Sequence, residues 1–175
     1  MRKNKRTFAT VFNLYSIDML LSKQIAVNLN LISCKLKQYT AFELKVQNID
    51  LTPEQFLLID ILWNQGTLSQ QTVADLMHKD KNSITKLVDA LEKKGLVMRQ
   101  QDRADRRSNL VKVTEEGEKL KNKAKEVGIY TLDQVLDGIT EEELNTFLKV
   151  IYKMSDNMDS PLLAKTYTKP DIRDL

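Results

Sequence analysis

The feature that most constrains this chain is an unbroken helical periodicity near its N-terminus. From about Leu14 to Val46, apolar side chains return every three or four residues, and no glycine or proline interrupts them. This spacing predicts one amphipathic helix of roughly nine turns. Because so long a helix needs a partner for its apolar stripe, we expect it to supply an interface. The stripe consists of Leu14, Ile17, Leu21, Ile25, Leu29, Ile32, Leu36 and Tyr39.

Composition favours a single helix-rich domain, with the positive charge concentrated in mid-chain. The 175 residues are 42% hydrophobic, which suffices for one core, and glycine and proline together number eight. The formal charge is only +3. Residues 79–107, however, hold nine Lys or Arg against five Asp or Glu, and residues 108–175 hold ten against thirteen. A cationic middle segment indicates an acidic partner for that segment only.

Three short helices are predicted between Leu51 and Gly95. The first, in LTPEQFLLIDILWNQG, has Thr52 as N-cap, Pro53 at its first position and a capping box completed by Gln55. The second begins at Ser69, and the third at Asp80, with Gly95 as its stop. The connection between the second and third, around residues 77–79, has the length of a helix-turn-helix. The third helix directs inward Ile84, Leu87, Val88 and Leu91.

The periodicity then changes to that of a β-hairpin. LVMRQQ and NLVKVT contain β-branched residues and are joined by DRADRRS, whose Asp and Ser residues suit a turn. These runs predict a two-stranded wing. Two more helices follow, one starting at Thr114 and running toward Leu136, and one starting with a capping box of Thr140 and Glu143.

The predicted helix-turn-helix and wing together suggest contacts with double-stranded DNA. The exposed face of the third short helix presents short polar or basic side chains at its N-terminal end, where they can reach base edges and phosphates in a major groove. These residues are Lys81, Asn82, Ser83, Thr85 and Lys86. Arginines at the tip of the wing, namely Arg103, Arg106 and Arg107, can contact the backbone or the minor groove, with Asp102 and Asp105 pairing with them.

These segments resemble the MarR family of winged-helix transcriptional regulators. The resemblance covers about residues 14–158, and its most specific parts are LTPEQF, LEKKGLV and DRRSNLVKVTEEG. It implies a homodimer whose terminal helices interlock and whose two winged domains read a pseudo-palindromic operator. It also implies that Asp105 orients an arginine by ion pairing, that Arg107 lies at the wing tip in the minor groove, and that Arg99 belongs to the DNA-binding residues of the wing.

The expected fold is therefore mainly α: a winged helix-turn-helix with a two-stranded β-wing, flanked by long N- and C-terminal dimerisation helices. Residues 1–50 form an arm and dimerisation helix, 51–114 the DNA-binding region, 115–158 the C-terminal dimerisation helices and 159–175 a tail, all in one intertwined domain. A two-fold dimer sums the binding energy of two half-sites about one helical turn apart. Its expected interface residues are Leu14, Ile17, Leu21, Leu148, Ile151 and Met154.

The expected function is a cytoplasmic homodimeric repressor whose binding to double-stranded DNA is modulated by a small-molecule effector. The alternative is a winged-helix module that binds an acidic protein. The sequence lacks GxGxxG, P-loop and GxSxG motifs, so no enzyme activity and no cofactor are expected. The single cysteine and single histidine offer no zinc site of the Cys/His type, no metal is expected, and no apolar run is long enough to span a membrane.

Three single residues have competing interpretations. Cys34 fits a packing residue better than a redox sensor, although Lys35 beside it would favour its thiolate. His78 fits a turn residue or a phosphate contact better than a catalytic base. Trp63 fits the core better than the wall of an effector pocket.

Overall fold

The computed structural model describes the backbone of residues 8–101 and 109–158, and side chains from position 20 onward within those ranges. Its elements follow the predicted order. They are α1 (Phe8–Val46), α2 (Pro53–Gln65), β1 (Leu68–Ser69), α3 (Gln70–Leu76), α4 (Lys81–Lys93), β2 (Val97–Gln101), β3 (Asn109–Val113), α5 (Glu115–Leu136) and α6 (Glu141–Met158).

The helix boundaries are set by the caps that the sequence predicts. Thr52 and Gln55 form a reciprocal capping box at the start of α2, and Gly66 ends that helix with a φ of 81°. The side chains of Ser69, Asp80 and Thr114 accept hydrogen bonds from the first turns of α3, α4 and α5. The long helix begins at Phe8, six residues before the predicted start.

The predicted two-stranded wing is part of a three-stranded antiparallel sheet. The strand order is β1-β3-β2, and the short strand β1 pairs Leu68 with Val111 and Ser69 with Leu110. Two residues are too few to show a strand periodicity, and Ser69 is also the N-cap of α3. This strand was therefore missed: β2 and β3 form the predicted two-stranded wing, and β1 adds a third strand to the sheet.

One core unites the winged helix with the two long helices. Ile84, Val88 and Leu91 of α4 are fully buried, as predicted, against residues of α2, α3 and the sheet, whereas Leu87 is half-buried. Leu44 of α1 lies in the same cluster. Ala124 and Val127 of α5 complete it. The core thus fixes α4 and the wing relative to the helices that flank them.

A close contact between α5 and the sheet requires a glycine. A Cβ built on Gly117 would lie 2.2 Å from the carbonyl oxygen of Leu96 and 2.6 Å from Cγ1 of Val113. Beside it, the Thr114 hydroxyl donates to the carbonyl of Gly95 over 2.6 Å. The start of α5 is therefore packed directly against the backbone that leads into β2.

Candidate nucleic-acid interface

The N-terminal turns of α4 form the exposed end of the helix-turn-helix. Residues 77–80 connect α3 to α4, as predicted, and His78 in this turn has a φ of 48°. The side chains of Lys81, Asn82 and Lys86 are exposed at the start of α4. A helix N-terminus also presents partial positive charge, so this end of α4 is suited to contact phosphates.

Ser83 and Thr85 are partly occupied by hydrogen bonds within the helix. The Ser83 hydroxyl donates to Oδ2 of Asp80 over 2.6 Å, and the Thr85 hydroxyl donates to the carbonyl of Lys81 over 2.9 Å. The bonds from the hydroxyl and amide of Ser83 hold the pKa of Asp80 below its ordinary value. Toward a duplex, these two hydroxyls can therefore present acceptor lone pairs, while Lys81, Asn82 and Lys86 present donors.

The predicted wing residues separate into one that the structure describes and five that it does not. The five lie between β2 and β3, outside the described residues, so their roles stay predictions; they are Asp102, Arg103, Asp105, Arg106 and Arg107. Gln101 of β2 pairs with Asn109 of β3, and these two residues flank the segment. The position of residues 102–108 at a wing tip stays a prediction.

Arg99 lies in β2 and contacts α4. Its guanidinium forms ion pairs with Asp89 and Glu92, and its backbone amide donates to Oε1 of Glu92 over 3.0 Å. Nη2, which pairs with Asp89, also lies 3.4 Å from the carbonyl of Thr85. Burial opposes the charged form of this group, but the two carboxylates outweigh it and raise the pKa of Arg99. Both Nη atoms are directed to partners inside the protein, and a DNA contact by this side chain stays a prediction.

A cavity of about 480 Å³ lies between the long helices and the helix-turn-helix. Its wall includes the turn residues His78 and Lys79, directly before the N-cap of α4. The hydroxyl of Thr131 is buried and has no hydrogen-bond partner in the described part of the chain. Lys79 donates to Glu54 over 2.8 Å across the cavity rim. The remaining lining residues are Ser33, Leu36, Lys37, Thr40, Pro53, Phe56, Leu57, Met77, Gly128 and Leu132.

The residues with competing interpretations are now placed. Trp63 is 7% exposed in the core and is not among the residues that line this cavity. His78 is exposed at the cavity edge. Cys34 is exposed on α1, with its sulfur 3.7 Å from Oδ1 of Asn30. Sequence reasoning identified neither the cavity nor the Arg99 contacts, because both join residues from separate elements.

The predicted dimerisation residues that the structure describes are exposed or half-buried. Leu21 is 55% exposed and Leu148 is 43% exposed, whereas Ile151 and Met154 are half-buried. The side chains of Leu14 and Ile17 precede position 20 and are not among those that the structure describes. Among the described residues, no group of His, Cys, Asp and Glu could hold a metal ion, and no helix is long and apolar enough to cross a membrane.

Comparison with known proteins agrees with this architecture. The sequence model of the MarR family matches residues 51–109, from the start of α2 to the start of β3. Among solved structures, a MarR-family transcriptional regulator from Rhodococcus sp. RHA1 is 27% identical and covers 85% of this chain and 98% of its own, with a TM-score of 0.62.

Two further structures share the fold at lower identity. The organohalide-sensing regulator RdhR, in its 2,4-dichlorophenol-bound form, is 22% identical with a TM-score of 0.74, covering 86% of this chain and 87% of its own. A mutant of E. coli MarR complexed with operator DNA is 20% identical with a TM-score of 0.70, covering 75% and 93%. Proteins of this family are transcriptional regulators rather than enzymes. The match of residues 51–109 to the MarR family model and the fold shared with MarR-family structures identify a MarR-type winged-helix domain in this chain.

Proposed function

We propose that this chain is a cytoplasmic homodimeric repressor that binds a pseudo-palindromic operator and is controlled by a small-molecule effector. The observation that supports DNA binding most directly is the exposed polar and basic start of α4 beside a basic hairpin. In this proposal α4 enters the major groove, and the wing, with Arg103, Arg106 and Arg107, contacts the backbone or minor groove. The solved complex of E. coli MarR with operator DNA supports operator binding by a protein of this fold.

The apolar surface of the terminal helices supports a dimer. Only Ser155 is buried within α6, and this helix makes few contacts with the rest of the described chain. Large apolar side chains are exposed on α1, α5 and α6, among them Leu21, Ile32, Ile129, Phe147 and Leu148. Because monomeric proteins rarely expose so much contiguous apolar surface, we assign α1, α5 and α6 to dimerisation and residues 51–114 to DNA binding.

The cavity beside the helix-turn-helix is the proposed effector site. Its walls are largely apolar, with Leu36, Phe56, Leu57, Met77 and Leu132 facing it. The cation of Lys37 and the unpartnered hydroxyl of Thr131 add two polar groups. Such a site suits a small, flat, apolar compound with one hydrogen-bonding or anionic group. The 2,4-dichlorophenol bound by RdhR has this chemistry, which makes it a suitable first probe.

The DNA-binding proposal is tested by anisotropy titrations with a labelled duplex from the region upstream of the chain's own gene. We expect the affinity to fall steeply with added salt, because phosphate contacts release counterions. Lys86→Ala should weaken binding and reduce the slope of log affinity against log salt by about 0.9. Lys123→Ala removes the same charge from α5 and should leave both the affinity and the slope unchanged. An affinity that depends on neither salt nor Lys86 would favour the alternative, an acidic protein partner.

The wing is tested separately by Arg107→Ala. We expect a loss of DNA affinity of about 1–3 kcal/mol for one groove contact, while light scattering still reports a dimer. Unchanged binding would remove the wing from the proposal.

The effector site is tested by calorimetric titration of 2,4-dichlorophenol into the protein and into Thr131→Val. The substitution keeps the side-chain volume but removes the hydroxyl, so we expect weaker binding by about 0.5–1.5 kcal/mol. Thr67→Val, at an exposed position outside the cavity, is the control. Equal affinities of all three proteins would place the ligand elsewhere.

A further inference from the structure

Arg99 joins the wing to α4 by three groups of contacts. Its guanidinium pairs with Asp89 and Glu92, its amide donates to Glu92 over 3.0 Å, and Nη2, which pairs with Asp89, also approaches the carbonyl of Thr85. The three partners lie on successive turns of α4, whose N-terminal half presents the proposed DNA-reading residues. Strand β2 is therefore fastened along α4 by a planar fork, a geometry that lysine cannot reproduce.

The charges of this cluster argue against a phosphate contact. One guanidinium faces two carboxylates, so the cluster as a whole has a formal charge of −1. The Arg99 side chain is 23% exposed, whereas its partner Asp89 is 58% exposed. A duplex approaching here would meet the outer carboxylate more readily than the cation. The arrangement suits a residue that holds two elements together, not one that attracts phosphate.

We propose that Arg99 is a positioning residue that clamps β2 to α4, so that wing and helix meet the duplex as one rigid unit. The inference rests on the proposed DNA-binding function. Two groove contacts made by one rigid body reinforce each other, because the second contact needs no further ordering of the chain. Loss of the clamp frees the wing to move relative to α4, and the wing contacts weaken.

The experiment compares variants whose charge effect and clamp effect have opposite signs. Asp89→Ala with Glu92→Ala removes both acidic partners, raises the net charge by two because two negative charges are lost, and improves helix propensity. If charge alone mattered, this double variant would bind DNA more tightly. If the clamp matters, the double variant binds DNA about tenfold more weakly than the wild type, because about one contact between wing and DNA is lost. Arg99→Gln should weaken binding by a similar factor. Glu126→Ala with Asp133→Ala, an equal charge change at exposed positions of α5, measures the pure charge effect.

The clamp also makes two predictions that are independent of overall stability. First, the variant that combines Arg99→Gln with Asp89→Ala and Glu92→Ala should bind no more weakly than Arg99→Gln alone, since one interaction is lost only once. Second, the variant with Asp89→Ala and Glu92→Ala should show a shallower slope of log affinity against log salt than the wild type. Its net charge is more positive, but the phosphate contacts of the wing are lost. A fold that was merely destabilised would lower the active fraction and leave the slope unchanged.

Arg99→Lys provides a variant that retains the charge. The clamp predicts that it weakens binding nearly as much as Arg99→Gln, whereas a phosphate contact predicts near-wild-type affinity. The clamp would be overturned if the variant with Asp89→Ala and Glu92→Ala bound DNA more tightly than the wild type, or if Arg99→Lys had the DNA affinity of the wild type. Either result would leave the proposed function intact. A wild-type protein that bound no duplex would instead refute the proposed function, and the clamp with it.

Discussion

At the scale of single residues, the pair of Glu54 and Lys79 connects the first turn of α2 to the turn before α4. The two side chains lie 2.8 Å apart and are partly exposed. The hydrogen bond from Lys79, together with its charge, lowers the pKa of Glu54 below the ordinary value of 4.5, although partial burial acts in the other direction. The contact between α2 and the turn before α4 therefore depends on the ionisation of the Glu54 carboxylate.

We expect this pair to contribute to stability only while Glu54 is ionised. A carboxyl group whose pKa is lower in the folded state stabilises the fold above its unfolded pKa, and that contribution is lost as pH falls through the folded value. At pH 7, Glu54→Gln should lower the free energy of unfolding by less than about 1 kcal/mol, as for other partly exposed pairs. In acid, below the lowered pKa, the difference should vanish.

The measurement is urea unfolding of the wild type, Glu54→Gln and Lys79→Gln at pH 7 and at a series of lower pH values. Both variants should differ from the wild type at the higher pH values only. A difference of equal size at all pH values would show that Glu54 acts through packing rather than through its charge.

The same residues illustrate what sequence can and cannot predict at this scale. Asp80, Thr52 and Thr114 were identified as caps because a cap acts within its own first turn, and the structure confirms all three. Glu54 and Lys79 are separated by 25 positions, and Arg99 is ten positions from Asp89. Such contacts depend on how elements pack, for which the local sequence provides no signal.

At the scale of elements, the sheet and α5 depend on each other through Gly117. An alanine at this position would place its methyl group 2.2 Å from a backbone oxygen, and a backbone atom cannot move aside without shifting β2. We expect Gly117→Ala to lower the free energy of unfolding by about 1–3 kcal/mol, the usual cost of overpacking.

Gly128→Ala, on the same helix, is the matched control. Its Cβ would lie 3.1 Å from Cζ of Phe56, the end of a side chain that can rotate. Because alanine favours a helix over glycine by about 1 kcal/mol, this substitution should be neutral or stabilising in a urea titration. If both alanine variants were equally stable, the close packing of α5 against the sheet would not be limiting.

Helices were easier to predict than strands in this chain. Each described helix has at least seven residues with a cap at its start or an apolar period along its length, so its existence was visible from sequence. Boundaries were visible where a cap marks them, whereas the start of α1 was predicted six residues too late. The two residues of β1 have neither signal, and they form a strand only because β3 offers an unpaired edge. The third strand thus follows from tertiary packing and could not be inferred from Leu68 and Ser69 alone.

At the scale of the whole molecule, the proposed dimer determines whether two copies of α4 can engage one operator. Leu148 on α6 is 43% exposed in the single chain, and an aspartate there would bury a charge in the proposed interface. We expect Leu148→Asp to convert the dimer to a monomer in light scattering. The affinity for a two-half-site duplex should then fall by about 10²-fold or more, since the second half-site no longer binds intramolecularly.

Met98→Asp is the control for a charge at an exposed apolar position. Met98 is 47% exposed on β2, outside the terminal helices, so its substitution should leave the dimer mass unchanged. Dissociation by Met98→Asp, or a dimer that survives Leu148→Asp at micromolar concentration, would contradict the assignment of α6 to the interface.

The continuity of α5 has a consequence for how a signal can travel through the protein. This single helix of 22 residues, about 33 Å long, has Thr131 at the cavity near one end and Gly117 against the sheet at the other. If a ligand in the cavity tilted α5, the other end of the same helix would move at the base of the hairpin. No separate segment would be needed to transmit the motion. Helix α5 is therefore a direct physical link between the proposed effector cavity and the base of the hairpin.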